Sequence, residues 1–152
     1  MNRLYKSMTI MCLFLSISVH ADTMSDAFNI LNQEYEKCDA TKKVISSVSN
    51  NWFNSLSIED KKSVLPIVDY MAMRRCTKDA DAEYSLVLVD YAAETGDFKP
   101  LEAWVGLIGI NKSMHESIMR LGMSNLLELS KSEEFLKPIM LMETAEQLDL
   151  LP

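Results

Sequence analysis

Histidine, cysteine, glycine and proline are all scarce in this chain, and each scarcity removes a class of chemistry. Of two histidines, only His115 lies beyond His20. With no paired ligand spacing around it, no metal site is expected, and no cofactor. No glycine-rich loop opens a helix, so a phosphate-cradling site is not expected either. No glycine or proline occurs between Asp22 and Pro66, which leaves the first third without a strong breaker. Basic residues are also short. All 22 acidic residues lie beyond position 21, with 13 of the 15 basic ones, so the chain from Asp22 onward carries a net −9. Such a chain repels phosphate backbones, which argues against a nucleic-acid partner. A field of this sign instead speeds encounter with a basic protein.

Long apolar runs are missing too, with one exception. Met8 to Val19 carries no charge, follows Arg3 and Lys6, and is about a dozen residues long, where a permanent transmembrane helix needs about 20. Val19-His20-Ala21 closes it with the small-x-small form of a signal peptidase site. Residues 1–21 therefore read as a cleaved signal peptide, and 22–152 as a single helical domain, periplasmic or secreted, with no stable membrane insertion. Cys12 leaves with the leader. That leaves Cys38 and Cys76, an even count that in an exported protein reads as a disulfide. Two separate buried thiols are the alternative.

Ser57 to Cys76, SIEDKKSVLPIVDYMAMRRC, is the stretch the rest is organised around. Ser57-Ile58-Glu59-Asp60 resembles a capping box. Pro66 predicts an interruption, with a restart capped at Ser63 and Val64, Ile67, Val68 and Met71 buried. Before it, Phe28, Leu31, Tyr35 and Cys38 mark one helix face. Val44 to Phe53 reads as a helix fraying towards Asn50, with a strand as the alternative. After it, Asp79 to Thr95 is the clearest helix, acidic at its start and stopped by Gly96. Pro100 opens the next, with Gly106 and Gly109 costly unless a neighbour packs closely. Ser113-Met114-His115-Glu116 is a strict capping box leading a face of Ile118, Met119, Met123, Leu126 and Leu127. A last helix spans about Glu133 to Leu148, interrupted at Pro138, before a fraying tail. The sum is an all-α bundle of five or six helices stapled by one disulfide.

No set of catalytic roles is legible. His115 has no nucleophile motif beside it, and Glu94 with Asp97 flank a surface turn where a glycosidase acid needs an apolar pocket. A small hydrolase using Glu94, Glu116 and His115 is the weakest reading. Asp79, Asp81, Glu83, Glu94 and Asp97 instead form a candidate acidic rim for a basic partner. Met140-Leu141-Met142 marks a second, pliable surface.

Arg75-Cys76, Asp79, Ala80, Tyr91 and Glu94-Thr95-Gly96 along one helix resemble the immunity proteins of type VI secretion amidase effectors, over about Arg74 to Glu102. The resemblance implies a periplasmic, mostly helical protein, often dimeric, that blocks a cell-wall hydrolase by occupying its cleft. The expected function is thus a non-catalytic, immunity-type inhibitor whose protein partner is basic around its cleft. A periplasmic chaperone or secretion accessory that holds client segments is the alternative.

Overall fold

Ser57 caps the longest helix among the described residues, as its sequence requires. Its Oγ accepts the Asp60 N–H at 3.1 Å and donates to the Asp60 carboxylate at 2.8 Å. The computed structural model describes residues 23–151; the leader expected over 1–21 lies outside the described residues. These hold eight α-helices: α1 (23–39), α2 (Asn51–Ser55), α3 (Ile58–Cys76), α4 (Lys78–Thr95), α5 (Lys99–Ile108), α6 (Lys112–Leu121), α7 (Met123–Ser130) and α8 (Leu141–Gln147). A 3-10 turn covers Glu133–Phe135. The all-α class is as expected, but the helices are more numerous and shorter than five or six. The described residues fall into two units, each built from two separated stretches of chain.

The larger unit joins Glu34–Lys78 to the chain from Gly109 onward. Its centre is α3, whose Val64, Leu65, Ile67 and Val68 are buried among Ile118, Leu121, Leu126, Leu129, Phe135 and Ile139. This burial explains the first correction. Pro66 does not split α3, which runs unbroken through it. The apolar residues on either side hold the helix through the missing hydrogen bond. Ser63 is therefore an interior residue whose Oγ donates to Glu59 O at 3.0 Å, not a cap. A disulfide joins Cys38 at the end of α1 to Cys76 at the last residue of α3, so the expected pairing holds.

Val44 to Asn50 is neither the expected helix nor a strand, and of the expected stretch only Asn51 to Phe53 is helical, as the start of α2. Lys43 N–H donates to Pro138 O at 3.2 Å and Met140 N–H to Lys43 O at 2.9 Å, a single parallel bridge. Ile45 N–H then donates to the buried Thr144 Oγ1 at 3.1 Å. With its backbone satisfied by residues about a hundred positions away, this stretch has no need of local helix. Asn50 caps the short α2 by accepting Phe53 N–H at 3.0 Å.

Three further expectations are corrected in the C-terminal half. The α6 cap is Asn111, which accepts Met114 N–H at 2.9 Å, not Ser113. Gly122 adopts φ +88°, ending α6 and opening α7, so Met119, Met123 and Leu127 do not join Ile118 and Leu126 on one buried face. Lys137 bends and Pro138 to Met140 run without helix, so the last helix begins only at Leu141. The tail is also held. Asp149 takes φ 53°, and the N–H groups of Asp149 and Leu150 return to Glu146 O and Ala145 O, a Schellman closure that buries Leu150.

Long side chains tie the same unit together. Arg75 donates to Ser130 O at 2.9 Å and Phe135 O at 2.8 Å, satisfying carbonyls where α7 and the 3-10 turn end. Ser49 donates to Glu134 Oε1 through its hydroxyl at 2.6 Å and its N–H at 3.0 Å. These donors pull the Glu134 pKa from the ordinary 4.5 to about 2. The folded value lies below the unfolded one. The pair therefore stabilises the fold at neutral pH, and that contribution is lost as pH falls from about 5 towards 2. Glu134→Gln is expected to flatten that limb of the stability profile, read as urea midpoint against pH; an unchanged limb would assign the acid loss elsewhere.

The smaller unit joins residues 23–33 to Asp79–Ile108. Ala27, Leu31, Leu88, Ala92 and Trp104 are its buried apolar residues. Phe28 packs against Tyr84 with the rings tilted, 5.6 Å between centroids, and Tyr84 meets Trp104 edge-on at 5.0 Å. Trp104 Nε1–H donates to Ser85 Oγ at 2.8 Å, and Ser85 Oγ donates to Asp81 O at 2.7 Å. Gly96 at φ +73° stops α4, as expected. Gly106 lies inside α5 with no atom within 4 Å of where a Cβ would stand. The close neighbour that would justify this glycine is absent among the described residues. Gly106→Ala is expected to stabilise the fold by about 0.5–1 kcal/mol, read from chemical denaturation; a loss would reveal a close approach at this position.

Candidate functional site

Charge is divided unequally between the two units. Residues 23–33 with Asp79–Ile108 hold eight acids against Lys99 alone, a net −7, whereas Glu34–Lys78 with the chain from Gly109 holds thirteen acids and twelve bases, a net −1. Most of the net negative charge thus belongs to one small unit. The same unit exposes Phe28, Ile30, Leu86, Val89, Phe98, Val105 and Leu107. The unit thus combines a thin core with much open apolar surface.

Helix α4 carries both properties. At 100° per residue, its buried Asp81, Leu88 and Ala92 share one face. Asp79, Glu83, Asp90 and Glu94 follow one another at steps of four, seven and four along the opposite, exposed face. Ala82, Leu86, Val89 and Ala93, all exposed, form a second lane beside the acids. Leu86 is 64% exposed and Val89 47%, values far from a core residue.

The five acids expected from the sequence are only partly brought together. Asp79, Glu83 and Glu94 lie on the acidic lane. Asp81 is buried, so it belongs to the interior of the unit and not to a rim. Asp97 serves the turn: its Oδ1 accepts Lys99 N–H at 3.1 Å and helps start α5. Asp90 was missed, as was the apolar lane, although both can be read from the heptad spacing. Tyr84, half-buried beneath the helix, has its hydroxyl pKa raised by desolvation.

The larger unit offers shallow depressions. One beside the disulfide is lined by Tyr35, Asp39 and Met73, and one by Pro66, Asn111 and Met114. A third, lined by Lys43, Ser49, Ser132 and Glu134, sets a hydroxyl against a carboxylate. A carboxylate held near pKa 2 is a weak proton acceptor, so this contact is poorly suited to general-base chemistry. His115 and Glu116 are exposed neighbours on α6, and Glu116 pairs with Lys112 at 3.8 Å. Among the described residues no helix is long and apolar enough to cross a membrane. Comparison with protein-family models, curated proteins and solved structures finds no match.

Proposed function

We propose that this protein is an exported, non-catalytic binding protein of the immunity type, which protects its producer by occupying the basic cleft of a toxin such as a cell-wall hydrolase. The observation that carries this reading is the concentration of net charge, −7, in the small unit that also exposes its apolar residues. A surface so composed attracts a basic partner at long range and retains it by burying Leu86 and Val89. The disulfide fits service outside the cytosol, where no reductant maintains thiols. Residues 1–21 would deliver the chain there. The test is contact competition: a deletion strain is expected to be killed by its wild-type siblings and rescued by the gene in trans. Equal survival of both strains would overturn the reading.

A holding role for unfolded clients is the second reading. It draws on Met119, Met123, Leu127, Met140 and Met142, all exposed on the larger unit. Broad suppression of client aggregation would support it, and a tight one-to-one complex with a single hydrolase would exclude it.

A further inference from the structure

The partner's own docking element can be specified from the lanes of α4. Ala82, Leu86, Val89 and Ala93 are spaced four, three and four apart, the a/d alternation of a coiled-coil seam three turns long. With Leu86 and Ala93 at a, and Ala82 and Val89 at d, Glu83 and Asp90 occupy e, the position flanking the seam. The other flank, g, holds Ser85 and the buried Ala92, committed to the unit's own interior. Alanines at both ends of the seam let a neighbouring helix approach closely. The seam is thus open on one side, and that side is acidic.

We infer that α4 receives an amphipathic helix of another protein, with aliphatic residues in its seam and Lys or Arg along the edge facing Glu83 and Asp90. The inference rests on the binding-protein reading above and names what the partner offers to it. Charge complementarity selects this occupant. A second copy of the chain is disfavoured on this face: antiparallel pairing would set Glu83 and Asp90 of one copy against those of the other, and parallel pairing would require the covered g positions. Glu94 and Asp79 lie at the two ends of the seam and extend the acidic edge.

The probe is a synthetic 21-residue peptide of three heptads with Leu at a and d and Lys at e and g, whose own charge keeps it monomeric. The comparisons are a scrambled peptide of identical composition and the same heptads with Glu for Lys. Titrated against the oxidised chain from Asp22, the Lys peptide is expected to gain helicity by circular dichroism and to bind about tenfold or more tightly than either comparison. Glu83→Lys with Asp90→Lys should weaken it about tenfold or more, and so should Leu86→Asp. Leu136→Asp, at a position 54% exposed on the larger unit, should leave binding unchanged. Equal binding of the scrambled peptide, or indifference to both α4 variants, would overturn the inference. So would a dimer of the free chain that Leu86→Asp dissociates and the Lys peptide does not displace. If Leu86→Asp unfolds, the charge-reversal variant decides alone. Peptide binding does not depend on killing: loss of the sibling-protection phenotype removes the function and leaves this surface, and the reverse result removes only the surface.

Discussion

Reducing the Cys38–Cys76 bond, or replacing both cysteines by alanine, is expected to lower unfolding stability by about 4 kcal/mol, the chain-entropy value for a loop with a sequence separation of 38. A loss of that size corresponds to a fall in Tm of roughly 10–20 °C for a domain of this length. The bond closes the largest irregular stretch of the larger unit. Between Cys38 and α3 lie Ala40 to Asn50, with no helix of their own, then the five-residue α2. In the unfolded chain this whole segment is free to expand, and the tether removes much of that freedom. Denaturation of oxidised and reduced protein side by side measures the difference. A change below about 1 kcal/mol would mean that the fold holds this segment without the sulfur tether, and the link to an oxidising compartment would lose its physical basis.

Trp104→Ala should cost about 3–5 kcal/mol, comparable to the disulfide, because the indole is one of few large side chains in a thin core. Its ring meets Tyr84 edge-on, and its Nε1–H satisfies Ser85 Oγ. Deleting it opens a cavity under α4 and leaves Ser85 without that donor. Trp104→Phe separates these effects: it keeps most of the ring packing and loses the hydrogen bond, so a smaller cost of about 1 kcal/mol is expected. Hydrogen exchange should show the amides of α4 opening first in the alanine variant, since its inner face loses the most contact. Undisturbed α4 exchange in Trp104→Ala would show that the helix is held by something other than the aromatic cluster.

Local signals in the sequence hold where the structure is decided locally. Ser57 caps α3, Gly96 closes α4, and the two cysteines pair, each from chemistry within a few residues or from elimination. Errors arose where distant partners decide. The bridge of Lys43 to Ile139 and the bond of Ile45 to Thr144 cannot be seen from the 43–50 stretch alone. Pro66 reads as a breaker until the burial of Val64 to Val68 is known. Asn111 and Ser113 are both competent caps, and Gly122 reads equally as a weak helix interior or as a positive-φ break. At the candidate site, Asp79, Glu83 and Glu94 were legible as acids on a helix. Asp81 was misread because acidity alone does not tell the inner face from the outer. Asp90 lies beyond the first turn of α4, where no dipole or capping signal singles out an acid, so only the spacing along the exposed face reveals it.

Survival of a strain carrying Glu83→Lys with Asp90→Lys, with the variant present at wild-type level and disulfide-bonded, puts the acidic face of α4 to the most direct trial. Survival against wild-type siblings should fall to that of the deletion strain, since two reversed charges remove the attraction at the centre of the lane. Full protection by the doubly reversed chain would contradict the account.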